Sequence, residues 1–308
     1  ARDPSLAVRS VYGQWFPWIH LLGHDWAASR LEKIFPREPQ QAPWWTAAWI
    51  GYVMYARPFD DVLAVLLPVY RRAVHLMTPD EEPLLFGDRP SERLGEHLVT
   101  YAWRAKISVD PIDPLLEGYW SKADGGLRRH VLSYIGRSLR EWLPAELDPG
   151  VPPALERLKV LWAFVLSKAA GQPGNDEETS ELSAFAWWFS SGRFDDDWAF
   201  GQLELVLRKT SLLDEAHLVA ERLAKVADAQ PLRSVRVLDK LVQSDREGWR
   251  ITGWKDKAQK VLEVAMRSGD EEVHRASVRL INRLVSKGYL EFRGLVDSEP
   301  THGGERTS

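Results

Sequence analysis

Fifteen tryptophans in 308 residues, with no cysteine to cross-link a small core, constrain this chain more than any other feature. Each indole carries a large apolar area and one N–H that wants a partner. Most of them sit in runs with helical spacing, such as Trp44, Trp45, Trp49 and Tyr52. The rings therefore belong either to wide aromatic layers between helices or to a surface that displays them to a ligand. Lack of cysteine also removes disulfides, thiolate zinc sites and cysteine nucleophiles together, and it fits a reducing cytoplasm.

No apolar run reaches the roughly 18 residues of a spanning helix; Val62 to Val69 and Val160 to Leu166 are short and flanked by charge. A membrane partner is therefore not expected. The formal charge of -4 argues against a nucleic-acid surface spread over the whole molecule. The start, Ala1-Arg2-Asp3-Pro4, carries no signal-peptide pattern and reads as a cut inside a longer protein. Residues 297–308 are polar and read as a disordered tail.

Nearly every other segment reads as helix. Leu280, Ile281, Leu284 and Val285 form one apolar stripe, extended backward by Val273 and Ser277, and Ala258, Val261, Leu262, Ala265 and Met266 form its partner. Between them, Ser268 and Glu271 have the spacing of a capping box. Asp113-Pro114 opens another helix, Asp195-Asp196-Asp197 a third, and Asp214 is the expected cap of a helix from Ala216. Consecutive helix hairpins without strands predict an all-α fold, a right-handed superhelical α-solenoid of paired antiparallel helices of HEAT or armadillo type. Residues 1–296 form one continuous helical repeat domain on this reading. The stretch 171–178 is the place where it can divide.

Chemistry is harder to find. There is no phosphate-binding glycine loop, no dinucleotide fingerprint, no zinc-protease motif and no nucleophile elbow. His20 and His24 are four apart on one predicted helix, but no third metal ligand is evident beyond the neighbouring Asp25. The acids Asp195 to Asp197 lack diphosphate-site spacing and are explained by helix capping. Asp60, Asp61, Asp110 and Glu117 are the carboxylates that a helical-toroid glycosidase would recruit, with no pair singled out. The segment from Arg233 to Arg293 is basic but interleaved with acids, as a solvated mixed face is. No cofactor is expected.

Several stretches together carry a resemblance. They are Asp3 to Arg9 with Trp15-Phe16-Pro17-Trp18, Arg93 to Leu98 with Tyr101-Ala102-Trp103-Arg104, and Ile135 to Leu139. Phe185 to Asp196, Asp245 to Trp249 with Gly253-Trp254, and Ile281 to Leu284 with Gly288 to Phe292 complete the set. As a set they resemble the C-terminal helical region of bacterial NLR-like (STAND-type) ATPases and related antiphage defence proteins. The resemblance implies a non-catalytic cytoplasmic sensor arm that binds a protein ligand such as a phage protein. Nucleotide-binding and effector modules would lie upstream in the same chain. The expected anchors are Trp249, Arg250 and Trp254 in a loop, then Trp187, Arg193 and Asp196; the two loop tryptophans also suit a role closing the gap between hairpins. A purely structural or dimerisation scaffold, and the glycoside-processing enzyme, are the other readings.

Overall fold

The computed structural model describes residues 5–78, 81, 83–84, 87–141, 151–169, 180–210, 213–245 and 247–297. Among these the fold is all-α, with one isolated bridge between Val109 and Ile112 and no strand. No described helix is long and apolar enough to cross a membrane. The predicted tail beyond residue 297 and the 171–178 break lie outside the described residues. By their contacts the residues group into two compact units, 1–135 with 144–170, and 136–143 with 171–308.

The first unit holds α1 (Leu6–Gln14), α2 (Phe16–Leu22), α3 (His24–Ile34), α4 (Ala42–Tyr55), α5 (Asp60–Leu76), α6 (Pro90–Trp103), α7 (Pro114–Lys122), the first part of α8 (Gly125–Glu141) and α9 (Val151–Lys168). Proline starts several of these helices, where its missing N–H costs nothing: Pro43, Pro90 and Pro114 all lie in the first turn. Asp113 caps α7 as expected, its Oδ1 accepting from the Leu115 N–H at 2.8 Å. Helices α1 and α4 approach each other closely at two glycines. A Cβ built on Gly13 would fall 1.8 Å from the Ala48 carbonyl oxygen, and one on Gly51 would fall 2.2 Å from that of Ser10. Only hydrogen fits between these two backbones.

The second unit holds the end of α8, then α10 (Phe185–Ser191), α11 (Asp196–Lys209), α12 (Ala216–Val226), α13 (Pro231–Ser244), α14 (Lys255–Met266), α15 (Glu271–Ser286) and α16 (Gly294–Asp297). Each helix from α10 to α13 packs on the next-but-one: α10 on α12, α11 on α13, α12 on α14, α13 on α15. That two-layer stacking is what a helical repeat requires. Salt bridges staple one layer. Arg233 on α13 reaches Glu204 and Asp197 on α11, while Arg283 on α15 reaches Asp239 on α13 and Arg236 reaches Glu272. The basic run of this region is thus interlaced with acids.

Two cap assignments need correction. Asp270, not Ser268, caps α15: its Oδ1 accepts from the Glu272 and Val273 N–H groups, whereas Ser268 Oγ is turned to the N–H of Asp270. Asp sits immediately before the helix and its short carboxylate reaches the first free amides; Ser268 is two residues too early. Likewise α12 is preceded by Glu215 in a left-handed conformation (φ 47°), and Asp214 accepts from the Ser183 hydroxyl instead.

Candidate protein-interaction surface

The loop anchors resolve into an exposed ring and a buried one. After α13, the Asp245 carboxylate folds the chain back on itself, accepting from the Gly248 N–H at 3.0 Å and the Ile251 N–H at 3.2 Å. Gly248 takes φ +81°, and its carbonyl accepts from the Tyr289 hydroxyl. This turn throws Trp249 into solvent, 70% exposed, with its indole N–H on Glu247. Arg250 beside it is exposed. Trp254 is only 4% exposed and fills the core ahead of α14, so it offers no ring to a partner. The Asp245→Ala variant should lose roughly 2 kcal/mol, because two buried amides lose their acceptor. Chemical denaturation checks this; a change below 0.5 kcal/mol, on the order of an ordinary surface substitution, would contradict it.

The other three expected anchors are committed to internal contacts. Trp187 is half-buried, with the Arg137 and Arg140 guanidinium groups 5.9 and 5.8 Å from its ring. Arg193 donates from Nε to the Leu139 carbonyl, and Asp196 pairs with Arg222 at 2.6 Å. Asp195 caps α11 through the Trp198 N–H, as the capping reading of these acids expects. Among the glycosidase carboxylates, Glu117 is paired with Lys168 and Asp60 lies between Arg104 and Lys106.

A larger surface lies elsewhere. Of the fifteen exposed large hydrophobic residues among the described residues, ten fall between Leu6 and Phe59. Trp15, Trp18 and Trp26 are each more than half exposed, Tyr55 is 69% exposed, and Leu22 is 89% exposed. Single exposed hydrophobes are ordinary, but a concentration of them is a candidate interaction surface. Two depressions lie within it. One, of about 110 Å³, is lined by Pro17, Trp18, His20, Leu21, His24, Phe59, Asp61 and Val62. The second, of about 230 Å³, is lined by Gln14, Trp15, Pro17, Trp18, Tyr55, Ala56, Arg57 and Phe59. They share Pro17, Trp18 and Phe59, so they form the two ends of one groove.

The histidine pair lies at the smaller end. His24 Nδ1 and His20 Nε2 are 3.4 Å apart. Burial, then the neighbouring His24, push the His20 imidazole below its ordinary range, against the pull of Asp61. Among the described residues no group of three or more metal-ligating side chains gathers here or elsewhere.

The groove wall has a rigid backing. Residues 56–59 link α4 to α5 and carry Arg57 and Phe59. Three side chains at helical spacing on α6 hold their carbonyls: His97 Nε2 donates to Ala56, Arg104 to Pro58 and the Tyr101 hydroxyl to Phe59. Because a carbonyl can only accept, His97 carries its proton on Nε2, and Nδ1 is left to accept from the Tyr70 hydroxyl at 2.7 Å. The Tyr52 hydroxyl completes the chain, 2.9 Å from that of Tyr70. Tyr52, Tyr70, His97 and Tyr101 are buried, whereas Arg104 is exposed; burial pushes the Tyr52 and Tyr70 phenols well up and His97 down to about 4. None of these groove or backing residues was singled out as an anchor by sequence reasoning. The stripe His97, Tyr101, Arg104 was the available signal.

The chain matches no protein-family model, no curated protein and no solved structure.

Proposed function

We propose that this chain is a non-catalytic protein-recognition arm of a larger bacterial protein, and that the aromatic groove of the first unit is its binding face. The sensor role is the one implied by the resemblance to STAND-type defence proteins, with a phage protein as ligand and the nucleotide-binding and effector modules upstream. The reading takes the helix pairs as a superhelical solenoid working in the cytoplasm. What supports it is the concentration of exposed tryptophan, tyrosine and leucine on α1 to α3 and at the α4–α5 link, backed by a buried hydrogen-bond network. Rigid aromatic anchors on a fixed backing are the residues that carry binding energy at protein interfaces.

The test is capture from bacterial lysate, uninfected and phage-infected, with the wild-type chain and with a Trp15→Ala, Trp18→Ala, Phe59→Ser variant. One protein enriched by the wild type and lost with the variant is the expected result. Equal enrichment by both would end the assignment of this face.

The same exposed face suits a dimerisation scaffold, the second reading. Sedimentation at micromolar concentration separates the two: a recognition arm stays monomeric until its partner is added, and a scaffold self-associates through the three substituted residues.

A further inference from the structure

The groove carries charges as well as rings, and they are placed at opposite ends. At the smaller end the Asp61 carboxylate is exposed and has no ion-pair partner among the described residues, whereas its neighbour Asp60 is paired with Arg104 and Lys106. Trp18 and Phe59 supply the flanking rings. A carboxylate beside aromatic faces is the arrangement that holds a guanidinium or ammonium group, by a charge-assisted hydrogen bond and by cation–π attraction together. The neighbouring His20, driven toward its neutral form by burial, does not compete for Asp61 at neutral pH. At the larger end Arg57 is exposed and likewise has no ion-pair partner among the described residues, among Gln14, Trp15 and Tyr55.

The two ends of the groove hold about 110 and 230 Å³, and each sets one charged side chain beside aromatic rings. Two side-chain pockets sharing a Trp18–Phe59 ridge suit neighbouring residues of one extended segment.

We infer that the groove recognises a linear peptide segment of a protein partner, with an arginine or lysine side chain seated against Asp61 and an acidic residue against Arg57. This specifies the ligand of the recognition face and rests on that reading. Asp61 and Arg57 set the polarity of the segment, and Trp18 and Phe59 supply the anchoring area.

The experiment uses dye-labelled, end-blocked peptides that carry arginine and glutamate one, two or three residues apart, titrated into the full chain and followed by fluorescence anisotropy. Control peptides replace arginine by leucine or glutamate by glutamine. The best-spaced peptide should bind about tenfold more tightly than its leucine control. Asp61→Asn should abolish that discrimination while leaving the glutamate preference, and Arg57→Gln should do the converse. Both sites are exposed, so both variants should fold as the parent does. Equal binding of arginine and leucine peptides, absence of peptide binding, or an arginine preference that survives Asp61→Asn would each overturn the inference. If that happens while the triple aromatic variant still loses the captured partner, the charge code falls and the recognition face stands; if capture also survives the aromatic substitutions, both fall.

Discussion

Gly13→Val and Gly51→Val should each destabilise the protein by more than about 3 kcal/mol, beyond the usual range for an overpacked core. The new Cβ would lie 1.8 Å from the Ala48 carbonyl oxygen in one case and 2.2 Å from that of Ser10 in the other. Both obstacles are helix backbone, which cannot swing aside as a flexible side chain does, so α1 and α4 must separate. The damage reaches the groove, because Gln14 and Trp15 follow directly on Gly13, and Tyr55 ends the helix that carries Gly51. Gly253→Ala is the control: nothing lies within 4 Å of its added methyl, and its φ is not in the left-handed region. It should stay within about 0.5 kcal/mol of the parent. Urea unfolding measures all three, and a valine variant as stable as the control would refute the packing account.

Acid should weaken the protein through His97. Its ring is held down to about 4, against an ordinary 6.5, chiefly because it is buried; the hydrogen bond to Ala56 and then Glu96 pull upward, and Arg93 downward, by less. Between those values the unfolded chain binds a proton that the folded one does not. The stabilisation is therefore complete above pH 6.5 and is lost progressively as pH falls toward 4, by roughly 3 kcal/mol at most. His20, also held below its ordinary value, acts in the same direction. Protonating Nδ1 of His97 also reverses its hydrogen bond with the Tyr70 hydroxyl, which must then accept from the ring and turn its own proton elsewhere. His97→Gln keeps an amide donor for Ala56 and cannot titrate. It should be less stable at pH 7 by about 1–2 kcal/mol, with a flatter pH dependence between 4 and 6.5. A variant with the parent's slope would show that another group carries the acid sensitivity.

Helix content and several caps were legible because they are local. The stripes of α14 and α15 recur every three or four residues, and Asp113 and Asp195 stand directly before their helices. The aromatic groove was not legible, for reasons that its own residues make plain. Helix α2 is only seven residues long, too short for a stripe to separate the buried Phe16 and His20 from the exposed Trp18 and Leu21. Trp249 and Trp254 lie five apart around one turn; which ring faces inward depends on the Asp245 carboxylate folding that turn. The network of Tyr52, Tyr70, His97 and Tyr101 joins three helices, and only the spacing of His97, Tyr101 and Arg104 on α6 is visible in one stretch of chain.

The most direct test of the central claim is hydrogen exchange on the captured complex, compared with the free chain. Recognition through the aromatic groove predicts slowed exchange in residues 11–26 and 55–62, with the turn around Trp249 unchanged. Unchanged exchange in both groove segments, or protection confined to the second unit, would contradict the account and return the binding face to the turn at Trp249 and Arg250.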